Sequence, residues 1–148
     1  MRGLFDSAMV KRSLSPVSAT STATFTGVAV DRQGYGEAMI IVDVGISLTA
    51  LSGTNYWTIT FEHCDSTTPG SFTHCDDADL IGGVHTVVLN DPAEDDQMVI
   101  RTYKGTKRYV RAVGTIAGAL GSGTPVAITV LLGNPNNMPV TQTALVQA

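Results

Sequence analysis

Asn55-Tyr-Trp-Thr-Ile-Thr-Phe-Glu-His-Cys64 alternates without a fault: Trp57, Ile59 and Phe61 fall on one side, and Tyr56, Thr58, Thr60 and Glu62 on the other. A period of two is the signature of a β-strand with one buried face, because successive side chains point to opposite faces of a sheet. Working outward, Glu37 to Val44 (EAMIIVDV) and Val126 to Leu132 (VAITVLL) are β-branched runs of the length of buried strands. Phe25 to Val30 and Val84 to Leu89 are shorter candidates. Gln97 to Tyr103 and Arg108 to Val113 flank Lys104-Gly105-Thr106-Lys107, a link of hairpin type. Asp31-Arg-Gln-Gly34, Ser66-Thr-Thr-Pro-Gly70, Asn90-Asp-Pro92 and Gly133-Asn-Pro-Asn-Asn137 supply turn chemistry between them.

Strands at this spacing predict an all-β domain, an antiparallel β-sandwich or a jelly-roll-like arrangement. Ile116 to Gly123 (IAGALGSG) reads as a loop or strand bend. Leu4, Phe5, Met9 and Val10 make one short helical face, and Ser13 to Ser21, rich in Ser, Thr, Ala and Pro, reads as an extended arm or linker. The expected organisation is an N-terminal arm over residues 1–22, a β-sandwich over 23–140 and a C-terminal tail over 141–148. The chain's 148 residues fit one domain by the usual size of roughly 100–150 residues.

Charged residues make up 15% of the chain, below the usual ~25%, which suits a surface packed against neighbours. The net charge of −4 gives no bulk attraction to nucleic acid. From Gln33 to Ile100 there are eleven acids and no Lys or Arg; five of the nine basic residues then fall between Arg101 and Arg111. Complementary patches of this kind register contacts between subunits, and Arg101, Lys104, Lys107, Arg108 and Arg111 are the candidate subunit contacts. Pairing of the basic segment with the chain's own acidic loops is the alternative. No run of eighteen apolar residues is present, so no transmembrane helix is expected. The opening Met1-Arg-Gly-Leu-Phe-Asp6 lacks the apolar core of a secretory signal, so no export is expected.

His63-Cys64 and His74-Cys75 combine residue types that bind zinc, but adjacent residues of a strand point apart and do not converge on one ion. Cys64 and Cys75 are open to two further readings, a disulfide across a hairpin loop or two free thiols. Asp65, Asp76, Asp77 and Asp79 surround them in sequence and oppose a thiolate nucleophile. Asp76 to Asp79 and Asp91 to Asp96 read as solvated turns, since neither matches the spacing of a calcium loop. Motifs of nucleotide binding, serine hydrolysis and zinc hydrolysis are missing, and the chain is expected to be neither an enzyme nor a cofactor protein.

Tyr35-Gly-Glu-Ala-Met-Ile-Ile-Val-Asp-Val-Gly45, Tyr56-Trp-Thr-Ile-Thr-Phe-Glu62, Asp79-Leu-Ile-Gly82, Tyr103-Lys-Gly-Thr-Lys-Arg-Tyr-Val-Arg111, Leu131-Leu-Gly-Asn-Pro135 and Met138-Pro-Val140 follow one another in an order that resembles the small β-sandwich virion proteins of tailed bacteriophages. The resemblance spans residues 23–140. It implies a non-enzymatic decoration (cement) or head-fibre-base protein on the capsid surface, assembled in the host cytoplasm. It also implies the major capsid protein as partner and a homotrimer; from the charge and the lack of a long apolar run, no membrane or direct nucleic-acid contact is expected. The paired His-Cys dipeptides and the Ser/Thr arm depart from the family pattern. Two other expectations stay open: a head–tail junction or tail protein, and a carbohydrate- or host-surface-binding module, which would need exposed aromatics where the chain has a single Trp, on the apolar side of its strand.

Overall fold

The computed structural model describes residues 3–66, 68 and 70–142. It is an all-β domain with a four-residue helix at the front, α1 (Leu4–Ser7). The strands are β1 (Met9–Thr26), β2 (Val30–Asp31), β3 (Tyr35–Val44), β4 (Tyr56–Cys64), β5 (Thr73–His74), β6 (Leu80–Ile81), β7 (Thr86–Leu89), β8 (Gln97–Tyr103) and β9 (Tyr109–Pro135). All pairings are antiparallel.

β9 is the spine. Its first part, Tyr109 to Ala117, pairs with β4, and its last part, Val126 to Pro135, pairs with β3. β1 runs along the opposite side of β9, from Thr26↔Val113 to Met9↔Leu132, and β2 continues that side at Val30↔Val110. β7 and β5 extend the β4 end; β8 and then β6 extend the β3 end. The sheet curls, so that β4 and β3 face each other as two layers joined by the bent β1–β9 ribbon. Strands that pass from one layer to the next at a bend are the corners of orthogonally packed sheets. One flank of the curl is closed by Val28 N–H donating to Ser13 O at 2.7 Å and by the Ser13 hydroxyl donating to Val28 O at 2.7 Å.

The Ser/Thr-rich segment is therefore extended, as read, but it is not an arm. It is the body of β1, interrupted by four register shifts between Arg12 and Ala23. Ile116–Gly123 is not a loop either: the strand runs through it, and the bend is carried by glycines at positive φ. At Gly118 (φ +78) a Cβ would collide with Asn55 Oδ1 and with the Thr54 backbone oxygen, which cannot give way as a side chain can. The proposed hairpin is also corrected. β8 and β9 lie in one sheet with β3 between them, so Lys104–Lys107 is a crossover that steps over a strand. Most of the 141–148 tail lies outside the described residues.

The core is the sum of the inward faces. Ile40, Val42 and Val44 of β3, Trp57, Ile59 and Phe61 of β4, and Ile116, Ile128, Val130 and Leu132 of β9 have at most 1% exposure and form one cluster. The alternation in Asn55–Cys64 puts Trp57, Ile59 and Phe61 inside, as its period requires.

Candidate interaction surface

Three side chains of β3 that look inward, Ile40, Val42 and Val44, alternate with Met39, Ile41 and Asp43, which look outward. Register carries that outer face across the layer. Met39 lies between Thr102 and Leu131, with Val10 beyond Leu131 and Ile81 beyond Thr102. Ile41 lies between Ile100 and Thr129, with Arg12 beyond. Asp43 lies between Met98 and Ala127. Residues directly opposite in adjacent strands share a face, so Ile81, Met98, Ile100, Met39, Ile41, Leu131 and Val10 form a contiguous apolar field on the outside of the protein. Ile81 (53%), Met98 (62%) and Val10 (46%) are exposed.

The outer face of the other layer is of different chemistry. Thr58, Thr60 and Glu62 of β4 lie beside Thr115, Val113 and Arg111 of β9, with Thr24 and Thr26 of β1 beyond. An antiparallel layer with one solvated face reads apolar in and polar out, which describes the β4 layer. The β3 layer breaks that pattern. Strands apolar on both faces are those covered on both faces, and only one face of β3 is covered by this chain.

The basic residues read as subunit contacts are engaged mostly within the chain. Arg108 makes a two-pronged contact with Asp31, its Nη2 2.6 Å from Oδ2; Lys107 Nζ lies 2.7 Å from Asp65; Arg111 Nη2 lies 2.7 Å from Glu62 and stacks 3.9 Å over Phe72. Arg101 reaches across to the Val84 carbonyl at 3.0 Å. Lys104 is exposed, and no ion pair holds it among the described residues. Three of the five basic residues thus resolve into internal pairs, and the charges on the apolar field's own face are Glu37, Asp43 and Arg12. The Arg108 hydrogen bond holds the Asp31 carboxyl below its ordinary range, the Lys107 contact does so for Asp65, and the His85 backbone N–H and ring do so for Asp77. A lowered carboxyl stabilises the fold fully above the unfolded value of ~3.9, and the contribution is lost as pH falls through the lower folded value. Unfolding titrations are expected to show a flat stability near neutrality and a decline only below about pH 4.

The disulfide reading is corrected. Both cysteines are free thiols. Cys75 donates its N–H to Phe61 O and so lies opposite Phe61 on the inner face, whereas Cys64 lies opposite Tyr109 on the outer face, three residues further along β4. Three residues of strand are about 10 Å, beyond the ~7 Å Cα limit of a disulfide. Burial, followed by Asp79, Glu62 and Asp76, pushes the Cys75 thiol up to about 12. The Ser71 hydroxyl, with the Ser66 N–H, draws the Cys64 thiol below its ordinary value. Both thiols are buried, Cys64 at 7% and Cys75 at 2% exposure, so maleimide is expected to modify the native protein slowly, at Cys64 before Cys75, with full reaction of both only on unfolding; a faster native rate at Cys75 would contradict this placement.

His63 and His74 do not converge. Among the described residues no group of three or more His, Cys, Asp or Glu side chains is arranged to hold a metal ion. His74 stacks on His85, which pairs with Asp77 at 2.7 Å. His63 is buried, and its Nδ1 lies 3.0 Å from the Tyr103 hydroxyl, which accepts the Lys107 N–H at 3.0 Å. The phenol can donate to His63 Nδ1 or accept from it, so the contact joins the two side chains in either tautomer. Burial pushes the Tyr103 phenol up to about 12, so it stays protonated at neutral pH. Replacing Tyr103 by Phe orphans both partners, with an expected loss of about 1–3 kcal/mol in denaturant unfolding. The acidic runs serve as turns: Asp91 and Glu94 form a reciprocal cap, and Asp95 accepts the Ser47 N–H. No helix among the described residues is long and apolar enough to cross a membrane.

No family model matches the chain, and no curated protein matches it. Among solved structures it is similar to that of PirA, at 10% identity and a TM-score of 0.30 over 87% of this chain and 94% of that one, a likeness too slight to carry an argument.

Proposed function

We propose that the chain is a structural protein of a tailed-phage virion that decorates the outer capsid and works by binding, not by turnover. The supporting observation is the uncovered apolar field on β1, β9, β3, β8 and β6. Apolar side chains exposed together on one sheet face are a feature of interaction sites, and the β3 sequence EAMIIVDV is that of a strand meant to be covered on both sides. The ordered resemblance over residues 23–140 supplies the kind of partner, the major capsid protein. The internal pairing of Arg108, Lys107 and Arg111 favours a neutral, apolar counter-surface over an acidic one.

The mechanism is linkage. Contacts that exist only when neighbouring capsomers are in register stabilise the assembled shell by the free energy of binding. A trimer of this chain would present the field three times, and simultaneous engagement multiplies weak contacts through effective concentration. The test is the melting of capsid shells lacking the protein, with and without added pure protein. The shells are expected to melt higher with it, in a concentration-dependent way; an unchanged transition at saturating protein would refute the proposal.

A further inference from the structure

β8 is the outermost long strand of its layer, and β6 covers only one end of it. Leu80 and Ile81 pair with Tyr103 and Thr102, and Gln97 to Arg101 have no strand beyond them among the described residues. In an antiparallel ladder the N–H and C=O of one residue point to the same side, and successive residues alternate. The phase is fixed by contacts on both sides. The Lys104 N–H donates outward to Asp79 O at 2.9 Å, and the Ile100 carbonyl accepts Arg101 Nη1 at 2.8 Å. On the far side of β3, the Gly45 N–H donates to Pro125 O, so the odd positions there bond β9 and the even ones bond β8. Val99 and Arg101 therefore bond Val42 and Ile40, while Met98 and Ile100 point their backbone groups away from β3. The Arg101 side chain meets the Ile100 carbonyl. The Met98 N–H and C=O and the Ile100 N–H have no partner among the described residues.

Sheet edges are usually blunted by charge, proline or a bulge. Gln97-Met-Val-Ile100 carries no charge and no proline, and β8 keeps its register with β3 from end to end. A hollow of about 470 Å³ lies between this edge and β7. Val87 and Leu89 of β7, Ala93 of the turn that follows and Val99 of β8 form its apolar wall. Glu94 and Arg101 are the charged residues that line it, one of each sign, so it favours an uncharged occupant.

We propose that the free stretch of β8 takes one extended, uncharged segment of a partner protein as an added strand, in line with β6, with an apolar side chain lodged in the hollow. In strand addition the main-chain hydrogen bonds give affinity and pockets for alternate side chains give specificity. Met98 and Ile100 supply the first, and the hollow beside Val99 supplies the second. The same two residues belong to the apolar field on the outer face, so one partner covers field and edge together. The inference rests on the shell-binding reading for the identity of that partner, the shell protein.

The test is binding of the full chain to capsid shells that lack it, comparing Met98→Ala with Met98→Pro. Both remove the same side chain, but only proline removes the edge N–H, and an edge strand tolerates it. Met98→Pro is expected to bind at least about tenfold more weakly than Met98→Ala, with similar melting temperatures for the two free variants. Equal binding by the two would overturn the proposal and leave the shell-binding reading standing. A parent chain that binds no shells would overturn that reading and this occupant with it. Should Met98→Pro fail to fold, Ala93→Phe fills the hollow from an exposed turn and is expected to weaken binding about tenfold; unchanged binding would overturn the proposal. A dimer of the free protein that Met98→Pro dissolves would give the edge to a second copy and overturn it as well.

Discussion

Lysines introduced at both Ile81 and Met98 are expected to weaken binding to capsid shells by about 100-fold or more while leaving the fold intact. Both side chains stand on the outer face of the β3 layer, 53% and 62% exposed, so neither contributes much to the core. Exposed substitutions of this kind change stability by about 0.5 kcal/mol or less, a shift of about 2 °C or less in a chain this long. The lysine at position 98 would sit directly across from Asp43, which spares the fold a like-charge contact. Under a partner, in contrast, each ammonium must be desolvated against an apolar surface that offers it no acid. The readout is the binding isotherm on shells, with the melting temperature of the free protein measured alongside. A double variant that binds like the parent would remove the apolar field from the account.

Trp57→Ala is expected to be the most damaging single truncation, at about 3–5 kcal/mol. Trp57 has no exposed surface and holds the β4 layer to the middle of the curl. Its ring lies against the bare backbone of Gly114, where a Cβ would come within 3.2 Å of Cζ3, and 6.0 Å from the Phe25 ring. Leu89 and Ile116 flank it in register on β7 and β9. Removing the indole leaves a void that three strands cannot close without giving up their hydrogen bonds. Against a typical total stability of about 5–15 kcal/mol, that loss is readable as a fall in the denaturant midpoint at constant slope. A loss under 1 kcal/mol would mean that the curl is held elsewhere. The same burial predicts blue-shifted Trp57 emission that soluble quenchers and glycans leave unchanged, which bears directly on the carbohydrate-binding alternative.

The strands with one clear periodicity were legible. Tyr56–Cys64 lies within the alternating stretch, Gln97–Tyr103 has the bounds its composition suggested, and Tyr35–Val44 extends the expected strand by two residues. What escaped was structure whose reason lies in tertiary pairing. β1 buries only Met9, Ser13 and Ala19, with Leu14 and Phe25 half-buried against the core, and its middle is mostly Ser, Thr and Ala facing solvent, so its sequence looks like a linker. Only β9 beside it makes it a strand. Glycines at 118, 121 and 123 look like a break in sequence, yet in the sheet they let one continuous strand turn a corner. The Lys104–Lys107 link has hairpin length, but β3 intervenes between the strands it joins, and nothing local encodes that.

The candidate surface was half visible. Met39 and Ile41 belong to EAMIIVDV, whose composition is that of a buried strand. Register adds that their side of the strand stays open in the single chain, and that Ile81, Met98, Ile100, Leu131 and Val10 join them from four other strands. The conspicuous features, the basic cluster and the His-Cys pairs, lead mainly to internal ion pairs, a buried His–Tyr contact and two separated thiols.

Cosedimentation of the purified protein with capsid shells that lack it, with bound copies counted across a titration, tests the central claim most directly. Saturation at a fixed copy number set by the shell's repeating units, reduced by lysines at Ile81 and Met98, is the predicted result. Protein that stays in the supernatant at every concentration would contradict it.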